Sequence, residues 1–320
     1  MNPSVSVIIV NWNSGVLLKE CLSALAVQTL QPTKIYVVDN GSTDNSITYA
    51  TSSDNVTLIS LGRNTGFAFA NNIALSICET DYIALINPDA FADCNWLKSL
   101  VAAATMNPDF AAFGSRQMVH GSTELIDGIG DIYHISGLVW RNGYGRKQTI
   151  EDLKSQEIFS PCAGAVLYSR EVLLQLGGFD EDFFCYVEDV DLGFRLRLAG
   201  YRSIYVPDAI VHHVGSAASG GHHSHFSIYH GHRNLVWAFF KNMPDLLLCL
   251  LLPLHIVMNI FTILYFFYKG KGRIILTAKY DAIKGLPSIL KKRKKIQHNR
   301  KSSIADIWKA LDKRIYPVRN

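Results

Sequence analysis

The sequence predicts an α/β protein built on a doubly wound, mostly parallel sheet. Three observations point there: continuous β-branched runs such as Val5-Ser6-Val7-Ile8-Ile9-Val10, their alternation with helical apolar spacing through the first 115 residues, and connections of only a few residues. A strand covered on both faces keeps no polar side, and parallel neighbours need a crossover helix between them. Strands are accordingly expected at Val5–Val10, Lys34–Val38, Val56–Ser60 and Tyr82–Ile86, and helices at Val16–Gln28, Ser46–Ser52 and Phe67–Cys78. Such sheets bind ligands at the carboxyl ends of their strands, so the loops there are where binding residues belong.

With 320 residues and 48% hydrophobic content the chain can hold a sizeable core, and a disordered polar polymer is excluded. One large domain over residues 1–240 and a helical, membrane-associating region over 241–320 is the economical division. The net charge is only +4, yet Lys291-Lys292-Arg293-Lys294-Lys295 and Arg300-Lys301 gather positive charge near the C-terminus. Beside a hydrophobic segment, such a run suits an anionic membrane surface. Lacking interleaved aromatics or a recognised motif, it does not suit nucleic acid. Cys21, Cys78, Cys94, Cys162, Cys185 and Cys249 fall at no metal or redox spacing and are expected as buried thiols of a reducing compartment. The N-terminus enters a strand at Val5 with no basic segment or cleavage site before it, so a cytoplasmic location is expected.

The strand-end loops carry the chemistry. After the second strand, Asp39-Asn40-Gly41-Ser42-Thr43-Asp44 places a carboxylate able to accept a hydrogen bond from a base or ribose, or to act simply as a turn residue. After the third, Arg63-Asn64-Thr65-Gly66 sets a guanidinium and a glycine beside a helix N-terminus, which suits phosphate. The fourth ends in Asn87-Pro88-Asp89, where a carboxylate can bind a hard divalent cation and Pro88 fixes the turn. No Gly-x-Gly-x-x-Gly follows the first strand, which disfavours a dinucleotide dehydrogenase.

Taken in order, Val7 to Asn13, Val37 to Asp44, Arg63 to Phe67, Asn87-Pro88-Asp89, Gly164-Ala165, Gly177 to Glu181 and Glu188-Asp189-Val190-Asp191-Leu192 resemble the family 2 glycosyltransferases of GT-A fold. The resemblance spans roughly residues 4–240 and is nearest to the rhamnosyltransferase and galactofuranosyltransferase branch, where Asn-Pro-Asp commonly replaces Asp-x-Asp. It implies that Val10 and Asn11 line a nucleoside pocket, that Asp39 contacts the base, and that Arg63, Asn64 and Asn71 border ribose and diphosphate beside Gly66. Asp89 is implied as the metal carboxylate. Asn87 departs from the first acid of Asp-x-Asp, lowering the negative charge of the site while leaving an amide to orient sugar or water.

In the second half, Glu188, Asp189 and Asp191 open a helix, where the macrodipole alone favours acids. The resemblance assigns Asp189 as general base and Glu188 to the acceptor. It also implies that His213, closing Pro207 to His213, completes a Mn²⁺ or Mg²⁺ site with Asp89, although His212 and His213 also suit a solvent-facing pair. Residues 215–221 suit a lid, and the following His222-His223-Ser224-His225 lacks the partners of a zinc site. Arg233, in a Tyr-x-x-x-Arg-Asn pattern, is expected to reach the diphosphate or an acceptor phosphate.

From Leu246 to Tyr268 only Pro253, His255, Asn259 and Thr262 interrupt an apolar run near bilayer length. Those interruptions favour an in-plane or re-entrant segment over a span, with a buried dimer interface as the bland alternative. The resemblance thus implies an inverting hexosyltransferase at the cytoplasmic face of a bacterial inner membrane, peripheral or monotopic. The expected donor is dTDP-L-rhamnose, with UDP-galactofuranose or another UDP-hexose behind it, and the expected acceptor is a lipid-linked saccharide of surface polysaccharide synthesis. A catalytically idle nucleotide-sugar sensor would tolerate Asp189→Asn, and a membrane scaffold would need only residues 246–301.

Overall fold

The computed structural model describes residues 3–51, 55–215 and 224–314. Its strands are β1 (Val5–Asn11), β2 (Lys34–Asp39), β3 (Val56–Ser60), β4 (Tyr82–Ile86), β5 (Ala90–Ala92), β6 (Phe110–Val119), β7 (Ile126–Gly128), β8 (Asp131–Tyr133), β9 (Val139–Arg141), β10 (Gln156–Ile158), β11 (Ala165–Ser169) and β12 (Arg202–His213). The helices are α1 (Val16–Ala26), α2 (Ile47–Ala50), α3 (Phe67–Ile77), α4 (Trp96–Met106), α5 (Arg170–Gln175), α6 (Glu188–Leu198), α7 (His225–Asn242), α8 (Asp245–Tyr268), α9 (Gly272–His298) and α10 (Ile304–Ala310). The expected β3 and β4 match residue for residue, and the other early elements differ by one or two residues at an end, except α2, which ends at Ala50.

The main sheet runs β10-β12-β6-β11-β4-β1-β2-β3, with β5 on β12 and β7 on β6. Its β4-β1-β2-β3 half is wholly parallel, β11 enters antiparallel, and β6 and β12 are parallel to one another. The predicted doubly wound character shows in β1: Val7 and Ile9 face a core shared with Leu18, Leu25, Trp96 and Leu100, while Ile8 faces one shared with Ala74, Leu75, Leu192 and Leu196. Alternate residues of one strand therefore supply two cores, which is why the run needs no polar position.

A helical layer covers the acid-bearing helix α6. Val190, Phe194 and Leu198 pack with Tyr133, Phe159, Phe239, Leu247 and Leu251, and Trp237 packs with Ala282 and Ile289. The sequence boundary at residue 240 falls inside α7, and α8 to α10 lie against the sheet domain through these contacts. The basic run divides here: Lys292 bonds Asp180 and Asp182, and Arg293 bonds Asp245 and the carbonyls of Phe240 and Met243. Only Lys291, Lys294 and Lys295 stay exposed, because a charge run on a helix turns through all its faces. Two cysteines also depart from expectation: Cys94 and Cys249 are exposed, whereas Cys21, Cys78 and Cys162 are buried.

Candidate active site

A cleft opens at the carboxyl ends of β1 and β4. Val10, Trp12, Asn40, Asn64, Gly66, Phe67, Asn87, Pro88, Asp89, Asp127, Arg141, Phe184, Cys185, Tyr186, His213 and Phe226 are among its lining residues. Of the residues expected in the site, Val10, Asn64, Gly66, Asn87, Asp89 and His213 therefore share one wall. Gly66 has φ near 90°, and a Cβ there would meet Phe184 at 2.6 Å, so both backbone and packing require glycine.

Asn11 and Asp39 stand one layer behind that wall. The Asn11 amide donates to Asp39 Oδ1 at 3.1 Å and to the Ser42 and Ser46 hydroxyls, and Asp39 also accepts from the backbone N–H of Ser42. They fix the loop that presents Asn40, whose Oδ1 in turn accepts from Thr65 N–H at 2.8 Å. Asn71 is turned into its own helix, donating to the Phe67 carbonyl at 2.9 Å. Arg63 is exposed and off the cleft wall; its backbone packs so close to Gly41 that a Cβ there would sit 2.6 Å from the Arg63 Cα.

At the end of β12, His213 Nδ1 lies 2.8 Å from Asp127 Oδ2, and its Nε2 lies 3.3 Å from Asp89 Oδ1 without hydrogen-bond geometry. Between the two carboxylates the ring holds a proton on each nitrogen; where a cation takes the place of the Nε2 proton, Nδ1–H still donates to Asp127 and Nε2 turns a lone pair toward Asp89 and the cleft. Burial alone would lower the His213 pKa, but the two carboxylates raise it to about 9. A buried nitrogen without a partner, beside a carboxylate on a cleft wall, fits a divalent cation. Among the described residues no group of three His, Cys, Asp or Glu converges, and Asp89 and His213 are the pair that would hold an ion there. His212 instead lies 3.4 Å from Asp93, away from the cleft.

Sequence reasoning missed Asp127, Asp131 and Arg141. Arg141 Nη1 bonds Asp127 Oδ2 at 2.5 Å, and Nη2 contacts Cys162 Sγ at 3.0 Å. Its charge also reaches Asp131 and Asp189. The available signal was Asp127-Gly128-Ile129-Gly130-Asp131, two acids at close spacing in a glycine-bearing stretch.

Asp189 opens α6 and lies off the cleft wall. Its Oδ2 accepts from Ala163 N–H at 3.1 Å and its Oδ1 from Val190 N–H at 2.9 Å. Burial raises its pKa despite those hydrogen bonds and Arg141. Burial and the neighbouring Asp189 charge lift Asp131 to about 8 and raise Glu188 well above the carboxylate range. Glu188 is buried and its Oε2 has no partner. Among the described residues, Arg141 is the cation whose charge reaches both Asp131 and Asp189.

The loop before this acid pair is strained. Phe184, Tyr186 and Val187 all have φ between 63° and 69°, rare for bulky side chains and least comfortable for β-branched Val187. Asn234 holds it: its amide nitrogen lies 2.8, 3.0 and 2.7 Å from the carbonyls of Phe183, Cys185 and Tyr186. Arg233 is placed off the cleft wall, stacked 4.1 Å over Trp237 and donating to the carbonyls of Asp182 and Phe183. The Tyr-x-x-x-Arg-Asn pattern is therefore a brace beneath the loop. Of the expected lid, residues 215–221, Gly215 lies on the cleft wall and the rest, with His222 and His223, lie outside the described residues; His225 is in the first turn of α7.

A parallel half sheet with an acid at the end of β4, a histidine returning beside it on β12 and an acid pair opening α6 defines a glycosyltransferase of GT-A type. The chain belongs to glycosyl transferase family 2, whose model matches residues 6–177; that of glycosyl transferase family group 2 matches residues 133–269. It is 29% identical over 253 residues to an N-acetylglucosaminyl-diphospho-decaprenol L-rhamnosyltransferase of Mycobacterium tuberculosis, covering 72% of this chain and 82% of that protein. It is 27% identical over 212 residues to an O-antigen chain rhamnosyltransferase of Salmonella typhimurium, covering 65% of this chain and 66% of that one. The fold is shared with GalNAc-T7 bound to UDP, GalNAc and Mn²⁺, at TM-score 0.62, 17% identity and coverage of 76% of this chain and 48% of that one. It is also shared with a Pyrobaculum calidifontis mannosyltransferase bound to GDP-Man and Mn²⁺, at TM-score 0.55, 17% identity and 88% coverage of both chains.

Proposed function

We propose that this glycosyltransferase moves L-rhamnose from dTDP-L-rhamnose to a hydroxyl of a lipid-linked saccharide, with inversion, at the cytoplasmic face of a bacterial inner membrane. The observation that carries the reading is the line Asp127–His213–Asp89, which aims an unpartnered imidazole nitrogen and a carboxylate into the same cleft as Val10, Asn64 and Gly66. The rhamnosyltransferase relatives support the sugar and the lipid-linked acceptor.

Asp127 holds the His213 ring so that Nε2 and the Asp89 carboxylate face one point. Asp89 and His213 would hold a Mn²⁺ or Mg²⁺ ion there, which would supply positive charge for the leaving diphosphate. Val10, Asn64 and Gly66 border the nucleotide, with Asn11 and Asp39 fixing the loops behind them. Asp189 takes the proton of the acceptor hydroxyl while that oxygen bonds to the anomeric carbon and the bond to the diphosphate breaks. Attack opposite the leaving group inverts the centre, and burial, by raising the Asp189 pKa, makes its carboxylate a stronger proton acceptor. Glu188, buried next to Asp189, is assigned to the acceptor.

Calorimetric titration of dTDP- and UDP-sugars into the purified protein, first with Mn²⁺ and then with excess EDTA, tests the reading. Binding of dTDP-L-rhamnose that is lost with EDTA is expected. Preference for a UDP-hexose would replace the donor, and full transfer activity in EDTA would remove the role given to Asp89 and His213.

A further inference from the structure

We propose that α8 and α9 form a membrane-docking face on which the protein lies, with α8 in the plane of an anionic bilayer surface and not across it. The outward stripe of α8 is apolar from end to end: Leu250, Val257, Ile260, Phe261, Leu264 and Tyr268 are 53 to 85% exposed, and no Asp, Glu, Lys or Arg lies between Asp245 and Lys269. The helix is long and apolar enough to cross a bilayer. Its opposite stripe, however, is occupied along its whole length. Leu247 and Leu251 pack with Tyr133, Phe194 and Phe239, His255 Nδ1 lies 2.7 Å from the Ser136 carbonyl, and Phe266 packs with Ile228 and Ile275. A helix held to the sheet domain at Leu247, Leu251 and His255, and to α7 and α9 at Phe266, cannot also thread through lipid. It can lay its free stripe into the interface, as an amphipathic helix does.

Charge names the occupant. Residues 269–301 contain twelve Lys and Arg against one Asp. Lys269, Arg273 and Lys284 are exposed close to the apolar stripe in sequence, and Lys291, Lys294 and Lys295 continue the exposed basic character along α9. An apolar stripe bordered by cations matches acidic headgroups over hydrocarbon. A second copy of this chain would bring those cations against themselves. The placement also serves the site: Ile228 packs on Phe266 at the end of α8, and Phe226, two residues earlier in α7, lines the cleft. The cleft thus opens beside the docking face, where a lipid-linked acceptor presents its sugar; in this respect the inference rests on the function proposed above.

The test uses the full chain with vesicles of phosphatidylglycerol and phosphatidylethanolamine, or of phosphatidylcholine alone. Co-sedimentation with the anionic vesicles is expected to exceed that with phosphatidylcholine. The Lys291, Lys294 and Lys295→Gln variant should lose binding on the order of a hundredfold, and Val257, Phe261 and Leu264→Ser should abolish it while circular dichroism stays unchanged. Spin labels on Cys249, and on Val257→Cys and Leu264→Cys in a Cys94→Ser, Cys249→Ser background, should report one shallow depth. A depth gradient through the bilayer centre would overturn the in-plane placement. Absence of vesicle binding, or a dimer that shields the labels, would overturn the membrane assignment. Donor binding measured without vesicles is independent of the docking face, so failure of docking and failure of the proposed function give different results.

Discussion

Two acidic clusters lie within one motif and have opposite electrostatic characters. Around Asp191, every charge has a partner: its carboxylate accepts from Arg195 at 2.8 Å, Lys241 at 2.8 Å and Asn242 at 2.7 Å, and Lys241 and Lys292 both bond Asp180. Around Asp189, two residues earlier, buried carboxyls outnumber cations, and the pKa values of Asp131, Glu188 and Asp189 are raised. In the first cluster the lysines hold Asp180 well below the usual carboxylate range even though burial opposes this. A paired network ties α6 to α7 and α9. An underpaired one holds protons and has reason to bind something.

The comparison breaks most visibly if both clusters behave alike under mutation. Asp189→Asn is expected to lower transfer by roughly 10³-fold with donor affinity and thermal midpoint little changed; a kinetic assay beside calorimetry checks this. Lys241→Met should instead leave Asp180 and Asp191 underpaired and cost about 3 kcal/mol of stability, seen as a lower urea midpoint. Next in size, Asp127→Ala removes the acceptor that fixes His213 and should weaken Mn²⁺ binding about 10- to 100-fold, read by metal titration without any turnover.

Acidity separates the clusters by sign. Asp180 has a depressed pKa, so its stabilising contribution is present above the unfolded value of about 3.9 and is lost as pH falls toward its folded value. Asp131 is raised to about 8, so the folded state retains a proton that the unfolded chain releases, and stability falls as pH rises between those values. Urea midpoints at pH 5 and pH 8 should therefore differ less in Asp131→Asn than in the parent, while Asp180→Asn should lose stability at both. The smallest effect belongs to neither cluster: Lys154→Ala breaks an exposed pair with Glu151 and should change stability by no more than about 0.5 kcal/mol.

The parallel half was legible because β-branched runs, short connections and strand-end acids are local signals. Val10, Asn64, Gly66, Asn87 and Asp89 lie beside those strands, and position along the chain nearly fixes position in space. Asp127 and Arg141 were not legible, because they sit on three-residue strands and Asp127 meets His213 across 86 residues. Lys292 and Arg293 were misjudged for a different reason. A sequence displays five consecutive basic residues, while the helix sends two of them inward to Asp180, Asp182 and Asp245. Asp189 and Asp191 look interchangeable as letters; only the side chains packed around them pair Asp191 with Arg195 and Lys241 and leave Asp189 on backbone N–H groups.

The Asn234 amide sets an order in time as well as in space. It gathers carbonyls that precede it by 48 to 51 residues, so the loop before Glu188 and Asp189 is made long before the group that shapes it. During synthesis the parallel half, Asp89, the acid pair and His213 all leave the ribosome ahead of that clamp. The nascent chain therefore holds the strand-end loops and the acid pair before it holds the residue that braces the loop between them.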